Sequence, residues 1–419
     1  MLKKFMHSFA AREEKKQQHL SYDRMIFLIK WAVSIFLIFI LTVSVSLWWF
    51  YDMPLTSPIN PLTTFHFLQE AQVSPTGKKI VYGYLPYWNM KKATIQPELT
   101  HLSYFSLTIL GDGSLQTQTK DGGEPGYAGL SSEVFLELSN KMKAQNGAME
   151  LTLTQFNGDD IANFLASQAA QDRLLTALDD VIIAYPVNGI NIDIELGGSP
   201  TLTMRNNLTA FMKKLREHLN TRYDKVNLSI AMYAGASKNN GLWDVPGIEP
   251  YVDYIIIMAY DFHRSSSPQA GPIAPLFGGR EFWDSDINQH LQDFVTQVPR
   301  QKLLLGIPFY GYEWKTTSRE AQSHTFPDTG STASISRVQD LLRRKDELKV
   351  EERWNEEALS PYLSYEENGE IYVIYYENSR SISYKLDYVN QLDIGGIAIW
   401  ALGYEGDSRE LWDVINRKL

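Results

Sequence analysis

The chain has 419 residues, of which 44% are hydrophobic and 12% aromatic, so it is long enough for one large core or two domains. It contains no cysteine, which excludes disulfides, thiolate catalysis and cysteine-based metal sites. The formal net charge is −10, and residues 1–30 carry more basic than acidic side chains, so the rest of the chain is more acidic still. This acidic character argues against a nucleic-acid-binding surface.

The first element along the chain is an apolar run over residues 31–50 that contains no charged side chain. Its length matches a membrane-spanning helix, and Trp48, Trp49 and Tyr51 lie where an interfacial aromatic belt would be. A buried core helix and a cleavable signal peptide are the alternatives, but the run is long for a signal peptide and no small-residue cleavage site follows it. We therefore expect a single-pass signal anchor in the cell membrane, with the basic tail 1–30 in the cytoplasm and the chain after residue 50 outside the membrane.

The next segment, residues 51–77, is rich in proline and has no strong periodicity. This composition predicts an extended extracytoplasmic linker between the membrane and a folded domain. Phe65, Phe67 and Leu68 could dock on that domain, so the whole stretch is not expected to be disordered.

From residue 80 onward, short apolar runs typical of strands alternate with amphipathic patterns typical of helices. The predicted strands are Ile80–Leu85, His101–Leu110, Ala148–Thr154, Gly189–Leu196, Val226–Tyr233, Tyr254–Tyr260, Lys302–Phe309 and Gly395–Ala401. The predicted helices between them are Glu133–Lys143, Gln171–Ala184, Leu202–Tyr223 and Asp286–Val298. Eight strands with intervening helices predict an α/β fold, the (β/α)8 or TIM barrel, over residues 78–419.

The repeat is interrupted once, between strands seven and eight, by residues 312–395. Within this stretch, Tyr362–Tyr365 and Ile371–Tyr376 read as strands around the turn Asn368-Gly369, and a helix is expected near Ser381–Asn390. The pattern predicts a small α+β insertion over one rim of the barrel.

The fourth strand carries the strongest chemical signal, because polar and apolar residues alternate along it. Asn191, Asp193 and Glu195 fall on one face, about 6.5–7 Å apart at positions i and i+2, while the other face is aliphatic. Burying carboxylates is costly, and two close carboxyls usually end as one ionised and one protonated near neutral pH. The pair therefore suits a general acid with an assisting neighbour, although this segment alone would also fit a strand with a hydrogen-bonded polar face.

Catalytic residues of such barrels lie at the C-terminal ends of the strands, where Glu195 is expected. The same rule selects further residues at the ends of strands one, six, seven and eight: Tyr84, Tyr87, Trp88, Tyr260, Asp261, Tyr310 and Trp400. Sugar rings stack on aromatic side chains while their hydroxyls take hydrogen bonds. A ring of aromatics around carboxylates therefore favours a carbohydrate site.

At these motifs the sequence resembles glycoside hydrolase family 18, the chitinase and N-acetylglucosaminidase group. Residues 188–195, N-G-I-N-I-D-I-E, stand where the family has D-G-x-D-x-D-x-E. Residues 258–261, M-A-Y-D, are similar to its strand-six signature, and 306–311 look like its strand seven. Trp400 matches the tryptophan that floors the subsite of the reacting sugar, and the insertion is similar to that of bacterial members. The resemblance covers residues 80–419.

The resemblance implies substrate-assisted cleavage with retention of configuration. Glu195 would protonate the glycosidic oxygen and then activate water, while the substrate's 2-acetamido oxygen attacks the anomeric carbon. Asp193 would orient the acetamido group, Tyr260 would hold its oxygen, and Asp261 would bind the sugar that bridges the cleavage point. The other residues expected to bind substrate are Asn191, Met258, Trp400, Tyr84 and Tyr310.

Three positions depart from the family pattern. Asn188 and Asn191 replace the first two aspartates of the strand-four motif. Since an amide cannot share a proton with Asp193 as a carboxyl would, Asp193 is expected to remain ionised and the pKa of the acid to be tuned differently. The strand-three motif S-x-G-G is also absent from Leu151–Gly158, which points away from a standard secreted chitinase.

We therefore expect a membrane-anchored glycosidase that cleaves a β-1,4-linked, N-acetylglucosamine-containing polysaccharide, either peptidoglycan or a chitin-like polymer. Tethering favours a wall polymer, because a scavenging chitinase is better released. The alternative is a catalytically weak or inactive, lectin-like member, whereas a scaffold for protein partners has no positive feature. No cofactor, metal or nucleotide is expected, since the eight histidines lack H-x-x-x-H spacing and no glycine-rich phosphate loop is present.

Overall fold

A computed structural model describes residues 78–238 and 241–419, together with Lys30, Trp31 and Thr42, which are helical. Except for those three residues, the predicted cytoplasmic tail 1–30, signal anchor 31–50 and linker 51–77 lie outside the described residues. Among the helices that the structure describes, none is both long and apolar enough to cross a bilayer. The membrane anchor therefore stays a prediction.

Fifteen strands are described in residues 78–419. They are β1 (Ile80–Pro86), β2 (His101–Thr108), β3 (Gln118–Thr119), β4 (Gly122–Gly123), β5 (Ala148–Gln155), β6 (Gly189–Ile194), β7 (Asn227–Tyr233), β8 (Tyr254–Met258), β9 (Leu303–Pro308), β10 (Tyr310–Thr316), β11 (Ser331–Ser334), β12 (Glu351–Asn355), β13 (Ser360–Glu367), β14 (Glu370–Tyr375) and β15 (Gly396–Trp400). Eight of them close into a barrel with the neighbour order β1-β15-β9-β8-β7-β6-β5-β2. Every pair in this ring is parallel. The predicted (β/α)8 barrel is confirmed.

The α-helices described in residues 78–419 are α1 (Pro125–Gly129), α2 (Glu133–Ala144), α3 (Gly158–Ala166), α4 (Gln168–Ala184), α5 (Leu202–Arg222), α6 (Val245–Ile248), α7 (Ile287–Val295), α8 (Ile335–Arg343), α9 (Ser379–Leu392) and α10 (Glu410–Lys418). Polar side chains fix where several begin. Asp286 accepts a hydrogen bond from the amide of Gln289 at 2.8 Å, so α7 begins at Ile287 and not at Asp286 as predicted. Asn157 caps α3, a helix that the sequence did not predict, by accepting from the amides of Asp159 and Asp160.

The core has an outer layer between strands and helices and an inner layer within the barrel. The predicted apolar stripe of α5 is buried, as are the aliphatic side chains on the outer face of β6. Each such aliphatic side chain contributes roughly 1.5–3 kcal/mol on burial. Inside the barrel, the buried cluster consists of Tyr82, Tyr84, Phe105, Ala231, Ile256, Leu304 and Ala398. Tyrosines within this cluster bring hydroxyl groups into the barrel interior.

Between β9 and β15 the chain forms a five-stranded antiparallel sheet, in the order β11-β10-β14-β13-β12, together with α8. The sheet has its own apolar core, which includes Leu341, Leu363 and Ile374. The predicted turn joins β13 to β14, and Asn368 and Gly369 have φ values of 55° and 78°, as a type I′ hairpin requires. The sequence predicted two of these five strands. The sheet begins at Tyr310, before the predicted start of the insertion at residue 312.

Candidate active site

The cleft at the C-terminal ends of the barrel strands has a volume of about 390 Å³. Its lining residues are Tyr84, Phe105, Phe156, Asp193, Glu195, Ala231, Tyr233, Met258, Tyr260, Asp261, Arg264, Tyr310, Tyr312, Thr332, Trp400 and Tyr404. Of the nine residues predicted for the site, the structure brings eight together here. The exception is Asn191.

Strand β6 places its polar side chains at increasing height in the barrel. Asn191 is completely buried, Asp193 is 4% exposed, and Glu195, one residue beyond the strand, is half-buried at the mouth. This gradient follows from the alternation of the strand, which turns every second side chain into the barrel. The two carboxyl groups therefore lie next to each other in the cleft, Asp193 deeper and Glu195 nearer the mouth.

Asn191 does not line the cleft, so it does not make the direct contact with substrate that was predicted for it. It lies below the cleft floor, where it supports the residues above it. Its Oδ1 accepts a hydrogen bond from the Tyr84 hydroxyl at 3.2 Å, and its Nδ2 donates to Ser229 Oγ at 2.8 Å. The residue lies one step deeper than Asp193 along β6, where side chains from neighbouring strands fill the barrel. Asn191 therefore contacts the substrate space only through Tyr84.

The electrostatics of the carboxyl pair differ from the expectation that Asp193 stays ionised. Burial, and then the nearby charge of Glu195, raise the pKa of Asp193 well above its ordinary value. Asp193 Oδ1 has no hydrogen-bond partner among the described residues, so no hydrogen bond at that oxygen offsets the loss of hydration. Burial also raises the pKa of Glu195. The pair therefore retains a proton more readily than either carboxyl would in water.

Two neighbours of Glu195 were not predicted from the sequence. The Tyr233 hydroxyl is hydrogen-bonded to Glu195, and the guanidinium group of Arg264 lies close enough to act on its charge. Both lower the pKa of Glu195 against the larger effect of burial, whereas the charge of Asp261 raises it. Tyr233 ends β7, so the strand-end rule could have found it; Arg264 follows β8 in a loop, where no pattern marks it.

Asp261 is held in place by two tyrosine side chains. It lies just after β8 with φ of 60°, a left-handed conformation that aspartate adopts more readily than most residues. Its Oδ1 accepts hydrogen bonds from the hydroxyls of Tyr310 and of Tyr312, the latter at 3.1 Å. Both tyrosines belong to β10, so the inserted sheet supplies one wall of the cleft.

The floor of the cleft is aromatic. Trp400 packs edge-on against Phe105, with ring centroids 4.6 Å apart, and its ring lies 5.7 Å from that of Tyr84. Met258 and Tyr260, from β8 and the residues after it, complete the wall beside Asp193. Trp400 lines the same cleft as Asp193 and Glu195, so a sugar ring stacked on it would share the cleft with both carboxyls. Tyr87 and Trp88, the other aromatics predicted near strand one, do not line the cleft.

The two remaining departures from the family motifs are structural. Asn188 lies at the N-terminal end of β6, away from the cleft, and its Oδ1 accepts from the amide of Met149 at 2.8 Å. On β5, Thr152 and Thr154 pair with the hydroxyls of Ser103 and Ser106 at 2.7 and 3.0 Å. Threonine–serine contacts thus fill the barrel where the family carries its strand-three motif.

Six further lining residues were missed by the sequence analysis. Phe105 and Ala231 lie inside predicted strands and Phe156 lies just after one, so whether they reach the cleft depends on their depth in the barrel, which the sequence does not give. Phe156 is 54% exposed, which suits a surface on which a sugar can stack. Tyr312, Thr332 and Tyr404 come from the inserted sheet and the loop after β15, whose positions depend on tertiary structure. Among the described residues, no cluster of three or more His, Asp or Glu is placed to hold a metal ion.

Comparison with known proteins places the chain among sugar-cleaving enzymes. The family model described as "Glycosyl hydrolases family 18" matches residues 80–405. The cortical fragment-lytic enzyme of Bacillus anthracis is 26% identical over 318 residues, which are 74% of this chain and 66% of that enzyme. Di-N-acetylchitobiase of Homo sapiens is 24% identical over 261 residues, covering 56% of this chain and 64% of the human protein. The chain thus spans about two thirds of the length of these relatives.

Solved structures share the fold. A Group IV chitinase of Ostrinia furnacalis in complex with allosamidin superposes with a TM-score of 0.70 at 19% identity, covering 81% of this chain and 97% of that structure. The spore cortex-lytic enzyme SleL of Bacillus cereus superposes with a TM-score of 0.64 at 22% identity, covering 82% and 76%.

Proposed function

Since the chain belongs to glycosyl hydrolase family 18 and is a glycosidase, we propose that it cleaves β-1,4-linked polysaccharide containing N-acetylglucosamine, with retention of configuration and with assistance from the substrate. The observation that carries this proposal is that Asp193 and Glu195 lie side by side in the cleft, both with raised pKa values. A carboxyl with a raised pKa keeps its proton near neutral pH, as a general acid must. Glycosidases that use two separate catalytic carboxylates would need them on opposite sides of the sugar.

In the proposed reaction, Glu195 donates its proton to the glycosidic oxygen as the bond to the anomeric carbon breaks. The acetamido oxygen of the substrate forms the new bond to that carbon, giving an oxazolinium ion. Water then attacks the same carbon from the side of the departed group, and Glu195 accepts the proton of the water. The two displacements restore the original configuration.

Asp193 and Tyr260 are proposed to hold the acetamido group. Asp193 Oδ1, which lacks a partner among the described residues, would accept the acetamido N–H and offset the positive charge of the ion. The hydroxyl of Tyr260 lies in the same cleft, and burial raises its pKa, so it remains a donor. The neighbouring Asp261, fixed by two tyrosine hydroxyls, would accept hydrogen bonds from the adjoining sugar.

We further propose that the substrate is a wall polymer of the peptidoglycan type and that residues 31–50 anchor the protein in the cell membrane. An apolar run of this length before the barrel favours the anchor. Tethering in turn favours a polymer close to the membrane over a diffusible chitin fragment. The relative named a cortical fragment-lytic enzyme agrees with this preference. Alkaline extraction of membranes from cells that make the full chain tests the anchor: release into the soluble fraction would contradict it.

Hydrolysis assays on two substrates test the activity. Purified protein and its Glu195→Gln variant are compared on N-acetylglucosamine oligomers and on isolated peptidoglycan, with reducing ends and the product anomer followed over time. We expect the β-anomer first, and a loss of at least about 10²-fold on removal of the acid. Glu370→Gln alters a half-exposed carboxyl on β14 that pairs with Lys315, outside the cleft; it is the control and should keep full activity. Binding without cleavage of either polymer would instead identify a lectin-like member.

A further inference from the structure

One buried carboxyl group below the cleft, Glu150, has no part in the reaction above. It lies on β5, is 0% exposed, and points into the barrel, because its partners come from β1 and β7. Its Oε2 accepts from the hydroxyls of Tyr82 at 2.8 Å and Ser229 at 3.1 Å, and its Oε1 from the Asn227 amide at 3.4 Å. Three donors converge on this side chain.

The groups that face Glu150 are neutral or negative. Tyr82 and Tyr84 face it from β1, Tyr254 from β8, and the charge of Asp253 adds a small repulsion. No ion pair with Lys, Arg or His is found for Glu150 in the described part of the chain. Burial is consequently the main influence, and it raises the pKa of Glu150 to about 7. The group therefore changes its protonation within the range where enzymes usually work.

A continuous chain of hydrogen bonds joins Glu150 to the cleft. An ionised carboxyl can only accept, so the single proton of Ser229 is committed to Glu150. The Ser229 oxygen then accepts from Nδ2 of Asn191 at 2.8 Å, which leaves Oδ1 of Asn191 to accept from the Tyr84 hydroxyl at 3.2 Å. Every proton in the chain points down towards Glu150, and the proton of Tyr84 therefore points away from the cleft.

The hydrogen-bond chain ends at Tyr84, near a carboxyl oxygen of Asp193 that has no donor in the described part of the protein. Tyr84 lines the same cleft as Asp193, and the charge of Asp193 acts on the Tyr84 hydroxyl. Oδ1 of Asp193 has no hydrogen-bond partner among the described residues. The Tyr84 hydroxyl, whose proton is donated to Asn191, thus lies near Oδ1 of Asp193, which has no donor among the described residues.

We propose that Glu150 is a positioning residue whose protonation reverses the direction of this chain, so that Tyr84 donates to Asp193 when Glu150 is protonated and to Asn191 when it is ionised. The inference rests on the proposed function, in which Asp193 orients the acetamido group. In the reversed chain, the carboxyl proton of Glu150 is donated to Ser229, and Ser229 donates to Oδ1 of the rotated Asn191 amide. Nδ2 of Asn191 then donates to the Tyr84 oxygen, which frees the phenol proton for Asp193.

The reversal needs an asparagine at position 191. An amide has one accepting and one donating end, so a half-turn of its plane exchanges the two without loss of a hydrogen bond. An ionised carboxyl at the same place would accept from both Tyr84 and Ser229 and could not pass the change on. A carboxyl at position 191 would titrate beside Asp193 on the same strand. With an amide at that position, Glu150 is the titrating group, and it acts on Asp193 through the hydrogen-bond chain.

The pH dependence of turnover tests the proposal. We would measure kcat and KM on N-acetylglucosamine oligomers between pH 4 and 9 for the wild-type protein, Glu150→Gln and Ser229→Ala. The wild-type kcat should fall as Glu150 ionises near pH 7, in addition to the fall caused by ionisation of Glu195. Glu150→Gln supplies a permanent donor to Ser229, so we expect its kcat to stay at the acidic-side value through pH 7, with KM unchanged.

Ser229→Ala cuts the chain without touching the cleft and should remove the same ionisation from the profile, with a kcat several-fold lower. Asp286→Asn, which alters another buried carboxyl with a raised pKa outside the chain, is the control and should keep the wild-type profile. The proposal is overturned if folded Glu150→Gln shows the wild-type profile, or, should that variant fail to fold, if Ser229→Ala does. If the wild-type protein hydrolyses the oligomers and the variants share its pH profile, only this inference is overturned. If the wild-type protein does not hydrolyse them, the proposed function is overturned as well.

Discussion

The hydroxyl of Tyr233 is hydrogen-bonded to the carboxyl group of Glu195, at the end of the strand next to the one that carries the acid. A donor to a carboxylate stabilises its ionised form, so this contact lowers the pKa of Glu195 while burial raises it. The pKa of Glu195 is therefore determined by two opposed effects, of which burial is the larger. Each can be changed separately.

Tyr233→Phe removes the donor and keeps the ring. The pKa of Glu195 should rise, so the acid stays protonated to higher pH and the basic limb of the kcat/KM profile moves upward. We also expect kcat to fall by roughly tenfold, because the carboxylate loses its orienting hydrogen bond after proton transfer. A pH profile on N-acetylglucosamine oligomers measures both effects, and a limb that moves to lower pH would contradict the assignment.

Arg264→Gln removes the cation near Glu195. The pKa of Glu195 should again rise, and the basic limb should move to higher pH. Arg264→Lys, which keeps the charge, is the matched control and should leave the limb close to its wild-type position. Because Arg264 is exposed, the difference between these variants should shrink as salt is raised from about 0.05 to 1 M. Equal profiles for both variants at low salt would exclude a role for the charge.

Asp261→Ala leaves the hydroxyls of Tyr310 and Tyr312 without their shared acceptor and places alanine at a φ of 60°. We expect kcat/KM to fall about 10²-fold, through loss of the substrate contact and of the ordered wall. Asp261→Asn keeps an oxygen acceptor and a residue type tolerant of this φ, so its loss should be smaller. Steady-state kinetics on oligomers of increasing length distinguish the two variants; equal losses would remove the argument for the shared acceptor.

Glu150 should make stability depend on pH. Its pKa rises from an ordinary 4.5 to about 7 in the folded protein, so between these values the folded state holds a proton that the unfolded state has lost. The free energy of unfolding should accordingly fall as pH rises from 4.5 to 7, by on the order of 3 kcal/mol from this group. Glu150→Gln should flatten that part of the curve. Urea unfolding at pH 4.5, 6, 7 and 8 measures the difference, and parallel curves for the two proteins would contradict it.

A buried ion pair at the start of α9 should be essential for stability. Nζ of Lys385 donates to both oxygens of Glu377 at 2.9 and 2.8 Å, and both side chains are almost completely buried. Lys385→Met leaves a buried carboxyl without its partner, which should cost about 3–5 kcal/mol. The double variant Lys385→Met with Glu377→Leu should lose less, because no charge is left unpaired. Urea unfolding of both variants tests this, and an equal loss would contradict it.

The barrel could be predicted because parallel strands are buried on both faces and therefore appear as short apolar runs. The inserted sheet was only partly predictable. Residues 310–316, Y-G-Y-E-W-K-T, do alternate aromatic side chains with small or charged ones, so this strand could have been predicted. Residues 351–355, E-E-R-W-N, are mostly charged or polar, and they form β12 because β13 offers an edge for pairing.

The candidate site was predicted where a residue's chemistry and its place at a strand end coincide, as for Glu195, Asp261 and Trp400. Asn191 was misplaced because alternation gives the face of a side chain but not its depth in the barrel. The pKa of Asp193 was misjudged for a related reason: burial, and then the charge of Glu195, raise it, and no motif reveals how deeply the side chain is buried. Arg264 and Thr332 depend on loops whose course is set by tertiary packing.

Only Phe309 separates β9 of the barrel from β10 of the inserted sheet. That residue is completely buried, its amide donates to the carbonyl of Trp400 at 2.7 Å, and its ring packs on Trp412 at 5.5 Å. With no slack at this junction, Tyr310 and Tyr312 cannot swing away from the barrel as a hinged lid would. The cleft wall that these two tyrosines form is consequently fixed relative to the barrel, and a substrate must fit a wall that is already in place.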